Sequence, residues 1–169
     1  MADFDLQNSV STNFTTTVHK APYPAISPTN PLLSQSGKTV LITGGGAGIG
    51  KAIARHFVLA GASTVIIIGR RVQVLEETAA ELKGTGSSNI LTRGVDVTDD
   101  AGVTALWDSL ATDGIHVDVL ILNSGVAGAK ASILELGLPA VWDVFETNVK
   151  GPLHFAERFY KQSSKPKVS

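Results

Sequence analysis

The sequence predicts a doubly wound parallel α/β sheet. Short apolar, β-branched runs alternate with amphipathic helical segments from residue 37 onward. The runs are continuous rather than alternately apolar and polar, as strands covered by helices on both faces must be. Each run is followed by a helix-length segment before the next. That spacing calls for right-handed strand–helix–strand crossovers and excludes tight hairpins.

The elements follow in order. Residues 1 to about 36 are rich in Ser, Thr, Asn and Pro, including Pro22, Pro24, Pro28 and Pro31. Proline removes backbone donors and restricts the residue before it. A solvated extension without regular elements is expected there, with Tyr23 to Leu33 lying against a domain that spans 37–169. Lys38 to Thr43 reads as the first strand. Lys51 to Leu59 reads as a helix with Ile53 and Phe57, or Ala54 and Val58, on one face. Thr64 to Gly69 is a second strand. Val72 to Lys83 is a helix with the stripe Val74, Leu75, Ala79 and Leu82. Asn89 to Val95 is a third strand. Thr98 opens a helix whose first turn holds Asp99 and Asp100, where the helix dipole favours acids. Its apolar face is Val103, Leu106, Trp107 and Leu110. Val117 to Leu122 is a fourth strand. Pro139 to about Gln162 reads as one long helix, bent or split at Gly151-Pro152.

Composition narrows the functions available. Among 169 residues, 43% are hydrophobic and 17% charged, and the net charge is −1. No basic cluster supports nucleic acid or an acidic membrane as a partner. Cysteine is absent, so disulfides and thiolate metal sites are excluded. The histidines (His19, His56, His116, His154) stand singly and read as surface or half-buried residues rather than metal ligands. No apolar run approaches the length of a membrane span. The N-terminus lacks the apolar core of a secretory signal and the arginines of a transit peptide, and Lys167-Val168-Ser169 is no peroxisomal signal. A cytoplasmic protein is the expectation.

The most informative stretch is Thr43-Gly44-Gly45-Gly46-Ala47-Gly48-Ile49-Gly50. It lies where the first strand hands over to the first helix. Glycine there permits a tight turn and removes the Cβ atoms that would hold a ligand away from the backbone. The free N–H groups at the helix start, with the helix dipole, then suit a pyrophosphate. In this context the glycines point to a dinucleotide.

Three further motifs follow in order, and together they carry a resemblance. Thr43-Gly44, three residues, then Gly48-Ile49-Gly50 resembles the glycine signature of the classical short-chain dehydrogenases/reductases. Asp96-Val97-Thr98-Asp99 resembles the family's segment after the third strand. Leu122-Asn123-Ser124-Gly125 resembles its Asn-Asn-Ala-Gly, with Leu122 and Ser124 as mild departures. Asn148-Val149-Lys150-Gly151 resembles its Asn-Val-x-Gly. The resemblance covers 37 to about 160. It implies a Rossmann-like sheet of order 3-2-1-4, here incomplete after the fourth strand and following helix.

The resemblance also implies roles. Thr43, Gly44, Gly46, Gly48, Ile49 and Gly50 form the phosphate turn. Asp96 and Val97 meet the adenine, and Asn123 and Gly125 shape the strand end beside the nicotinamide-side ribose. Asn148 interrupts its helix and holds a water of a proton relay; a buried asparagine in a mostly apolar helix is costly unless paired, which fits a special role. Lys150 reaches either the cofactor or solvent. At the end of the second strand, NAD enzymes usually carry an acid for the ribose 2′-hydroxyl. Here Gly69 stands there and Arg70 and Arg71 follow, which suits the 2′-phosphate of NADP, with NAD the less favoured cofactor.

The family's tyrosine, the lysine four residues after it, and its serine have no counterparts. Tyr23 and Tyr160 are each followed four positions on by a serine, Ser27 and Ser164. A tyrosine needs help to donate protons near neutrality, its ordinary pKa being about 10. The chain therefore reads as the cofactor-binding half of a ketone/secondary-alcohol oxidoreductase. A non-catalytic nucleotide-binding or interaction protein, and an inactive remnant, are the alternatives. A sheet ending at its fourth strand leaves an apolar edge that favours aggregation or a partner. Self-association through the long helix after residue 139 is one such expectation.

Overall fold

The computed structural model describes residues 23–162. The chain before Tyr23 and the segment Ser163–Ser169, read above as leading toward a further strand, lie outside the described residues.

Four parallel strands form one sheet in the order β3-β2-β1-β4, the expected 3-2-1-4. They are β1 (Thr39–Thr43), β2 (Thr64–Gly69), β3 (Asn89–Gly94) and β4 (Val119–Ile121). Helices α1 (Gly48–Leu59), α2 (Val72–Lys83) and α3 (Asp100–Thr112) make the crossovers. Period-two alternation divides the apolar strands between two cores. Val40, Ile42, Val65 and Ile67 face α1 and α2, where they meet Ala54, Val58, Leu75 and Leu82. Leu41, Ile66 and Ile68 face the other way, against Val103, Leu106, Trp107, Leu110 and Phe155. Both faces of β1 and β2 are therefore buried, which is why those runs carry no polar residue between their ends.

The fourth strand is shorter than Val117–Leu122. Among the described residues β4 pairs only with β1, from Val40↔Val119 to Ile42↔Ile121. Its residues are half-buried, and Leu122 is exposed. Asp118, the polar residue inside that run, has a structural use. Its Oδ2 accepts from the Thr39 N–H at 2.8 Å, tying the start of β4 to the start of β1. Gln162 completes the same end. Its side chain accepts from the Val117 N–H and donates to the Val117 carbonyl, as a neighbouring backbone would.

The lead-in also differs from the sequence reading in detail. Two 3-10 turns, Pro24–Ile26 and Pro31–Leu33, each begin on a proline whose fixed φ suits a first helical position. The segment meets the domain through Gln35, which donates from its backbone to the Ala60 carbonyl. Asp99 lies outside the first turn of α3. It is the N-cap, its side chain accepting from the Ala101 N–H.

The long helix is three pieces. α4 (Ile133–Phe145) starts six residues before Pro139, behind a capping box of Ser132 and Glu135, and is kinked at Gly137. A π turn, Glu146–Lys150, follows, and α5 (Gly151–Tyr160) continues from it. The irregularity therefore precedes Gly151-Pro152. Pro152 has no N–H for the carbonyl four residues back, and the wider turn before it absorbs that defect. Gly151 lets α5 press on the β3–α3 loop: a Cβ there would lie 2.6 Å from the Val97 carbonyl oxygen.

The glycine turn is as tightly constrained. A Cβ on Gly50 would lie 2.2 Å from the Gly44 carbonyl oxygen. In an open helix Gly→Ala gains about 1 kcal/mol. Here overpacking reverses the sign, and Gly50→Ala is expected to cost about 1–3 kcal/mol. Urea unfolding should show a lowered midpoint with an unchanged slope.

Candidate functional site

A cleft of about 590 Å³ opens at the carboxyl ends of the strands. This is where an open parallel sheet leaves room between crossovers running to opposite faces. Gly44, Gly46 and Ala47 form its floor. Gly69, Arg70 and Arg71 form the wall after β2, and Asp96, Val97 and Thr98 the wall after β3. Asn123, Ser124 and Gly125 close it after β4, joined by Val144 and Thr147 from the helix beyond.

The floor is held by a hydrogen-bonded clamp between two strand ends. The buried Thr43 Oγ1 accepts from the backbone N–H of Asn123 and of Ser124, each at 2.9 Å, and donates to the Ile121 carbonyl at 3.4 Å. The Asn123 side-chain amide returns the contact. Its Nδ2 donates to the carbonyls of Thr43 at 3.0 Å and Gly44 at 3.3 Å. The turn thus leans on β4 as well as on its own helix. Thr78 adds a third anchor from α2, donating to the Gly46 carbonyl at 2.8 Å.

The remaining turn residues divide by task. Gly48 starts α1 with φ +53° and open space where a Cβ would stand. Gly50 is packed beneath, and Ile49 is exposed. None of these three lines the cleft; they shape the backbone that does. The test of fit to a dinucleotide is this bare floor. It offers backbone at a helix start, and its glycines lie too close to their neighbours for side chains to be introduced without displacement.

The two walls carry opposite charge. Asp96 Oδ1 accepts from the Thr98 N–H at 3.0 Å and the Thr98 hydroxyl at 2.9 Å. Its Oδ2 faces Arg70 across the cleft, 3.9 Å from a guanidinium nitrogen. Asp96 therefore does cap the turn into α3, while one oxygen stays on the cleft side.

A model of the short-chain dehydrogenase family matches residues 38–167. The chain belongs to the short-chain dehydrogenase family. Its relatives include Short chain dehydrogenase/reductase dpmpG of Macrophomina phaseolina, 36% identical over 135 residues, a match spanning 78% of this chain and 76% of that one. The NADP-dependent 3-hydroxy acid dehydrogenase of Schizosaccharomyces pombe is 33% identical over 68% of this chain and 44% of its own length. Among solved structures, the L-sorbose reductase of Gluconobacter frateurii, complexed with NADPH and L-sorbose, superposes with a TM-score of 0.68. It is 32% identical over 75% of this chain and 48% of that one. The chain thus spans less than half the length of these last two proteins.

Asn148 does not line the cleft. It is exposed, where an apolar helix predicts a buried position. Both ends of its amide are engaged by the backbone of one residue: Oδ1 accepts from the Val126 N–H at 2.9 Å, and Nδ2 donates to the Val126 carbonyl at 2.7 Å. It sits in the π turn Glu146–Lys150. Its side chain fixes the loop after β4.

Lys150 is not brought to the cleft. Its ammonium lies 2.9 Å from Asp100 and 3.7 Å from Glu146, beside a second depression walled by Trp142, Phe145, Val149 and Leu153. Those four apolar residues are exposed, and Trp142 and Phe145 stack on each other at 6.2 Å. Neither Tyr23 nor Tyr160 lines the cleft. Val144 and Thr147 were missed in the sequence. Their signal was a spacing of three, which puts both on one helix face. Among the described residues, no group of His, Asp and Glu could hold a metal ion, and no helix is long and apolar enough to cross a membrane.

The hydrogen bond from Lys150 holds the Asp100 carboxyl below its ordinary 3.8, with attraction to Lys150 and His154 adding to it. The same contact pushes Lys150 above its ordinary 10.5. A depressed acid keeps its partner at neutral pH and releases it only as pH falls below 3.8. A carboxyl NMR titration should place the Asp100 midpoint under 3.8, and Lys150→Met should move it upward.

Proposed function

We propose that this chain is the cofactor-binding half of an NADP(H)-preferring oxidoreductase that interconverts a ketone and a secondary alcohol. The observation that carries the reading is the wall after β2. Gly69 ends the strand without a carboxylate, and Arg70 and Arg71 stand on the cleft in its place. A guanidinium fork matches a phosphate monoester in shape and charge, whereas an acid there would repel it. The name of the Schizosaccharomyces relative and the ligand of the Gluconobacter structure favour the same cofactor.

When bound, the nicotinamide supplies or accepts a hydride. The residues of this chain do the holding. Gly44, Gly46 and the start of α1 receive the pyrophosphate. Asp96 and Val97 take the adenine side, and Asn123 and Gly125 the nicotinamide-side ribose. Thr43 sets the strand ends beneath the ligand without touching it. Asn148 holds the loop after β4 and is the one candidate catalytic residue, through the water its interrupted helix would carry. The substrate is a small molecule. The exposed face of Trp142, Phe145, Val149 and Leu153 supports association of copies through this helix.

The second reading is a nucleotide-binding or interaction protein without chemistry. Calorimetric titration of the purified chain separates the readings from a remnant without function. NADPH should bind weakly and ahead of NADH, Arg70→Asp should reverse that order, and no hydride transfer should be detected. An unchanged order would remove Arg70 from the site, and turnover by this chain would overturn the division of labour proposed for it.

A further inference from the structure

We propose that Asp96 sets cofactor selectivity by competing with the ligand's 2′-phosphate for Arg70. The inference rests on the NADP reading above and deepens it.

The sheet register brings the two residues together. β2 and β3 run in register to their ends, with Gly69 opposite Gly94, so the segments leaving them rise side by side. Arg70 leaves one and Asp96 the other. Their charged groups meet at 3.9 Å on the cleft. The carboxylate does not swing freely. Thr98 holds Oδ1 with its N–H and its hydroxyl, which turns Oδ2 toward the guanidinium. Among the described residues Arg70 is held only by this pair, and its side chain is 73% exposed.

An exposed ion pair at that separation is weak, because solvent screens it and a long side chain must be ordered to make it. A phosphate monoester carries more charge and offers the guanidinium two parallel hydrogen bonds. The phosphate therefore displaces Asp96, but each binding event first breaks the pair. NADH has no group that needs Arg70 and leaves the pair intact. Asp96 thus lowers the preference for NADP(H) without meeting the phosphate itself.

The test uses fragments that need no nicotinamide contacts: 2′,5′-ADP and 5′-AMP, titrated calorimetrically into the 169-residue chain at low salt. Both carry adenine, so any loss of adenine contact at residue 96 cancels in the ratio of their affinities. Asp96→Asn keeps an oxygen for Thr98 and removes the charge. Asp96→Ser does the same with a hydroxyl and guards against a folding defect in the first variant. Each should raise the ratio in favour of 2′,5′-ADP by about threefold, the scale of an exposed ion pair. In an Arg70→Gln background the gain should vanish. An unchanged or lowered ratio in both variants would overturn the proposal, as would a gain that persists without Arg70. If wild-type chain binds the two fragments alike and Arg70→Gln changes nothing, the NADP reading has failed and the competition falls with it.

Discussion

The site depends on one hydrogen-bonded clamp, between the end of β1 and the end of β4. Thr43 donates once and accepts twice through a single buried hydroxyl, and Asn123 answers with its amide on two carbonyls. These bonds join segments about 80 positions apart in the chain. Each is worth only about 1 kcal/mol when made, yet leaving a buried partner unpaired costs more. The floor of the cleft is therefore fixed before any ligand arrives. Its bareness follows from the same geometry, since a Cβ on Gly44 would lie 2.9 Å from the Asn123 amide and one on Gly46 3.1 Å from Leu75.

Around that floor the walls are built on a different principle. Arg70, Arg71 and Asp96 project from loops that the sheet register sets side by side. Loops on a rigid scaffold can change residue without changing the fold, which is where selectivity is generally placed. The far wall adds a third device. The π turn at Glu146–Lys150 presents Asn148 to the Val126 backbone, so a local helix defect holds the β4 loop. Such single wide turns recur at functional positions in other helices.

Much of this was legible in the sequence. Continuous β-branched runs signalled the parallel sheet, and four motifs in order signalled its strand sequence and the cleft. The glycine turn could be placed because its chemistry is local. The long helix was read less well, for physical reasons. Its true start was signalled by Ser132 and Glu135, but Pro139 drew attention to a later one. Lys150 stayed open between cofactor and solvent, because the pattern does not show the π turn that sets its phase; its ammonium meets Asp100 and Glu146. The bond from Asn148 to Val126 spans a loop whose course no periodicity encodes. Asp118 was visible only as a charge inside a strand, and its role needed the register of β1.

The central claim is that the turn after β1 receives the phosphates of a dinucleotide. Backbone amide NMR of the chain titrated with NADPH tests that most directly. The largest shifts should fall on residues 44–50, with a second set at Arg70 and Asp96. Shifts confined to the exposed face of Trp142, Phe145, Val149 and Leu153, with the turn unmoved, would contradict it.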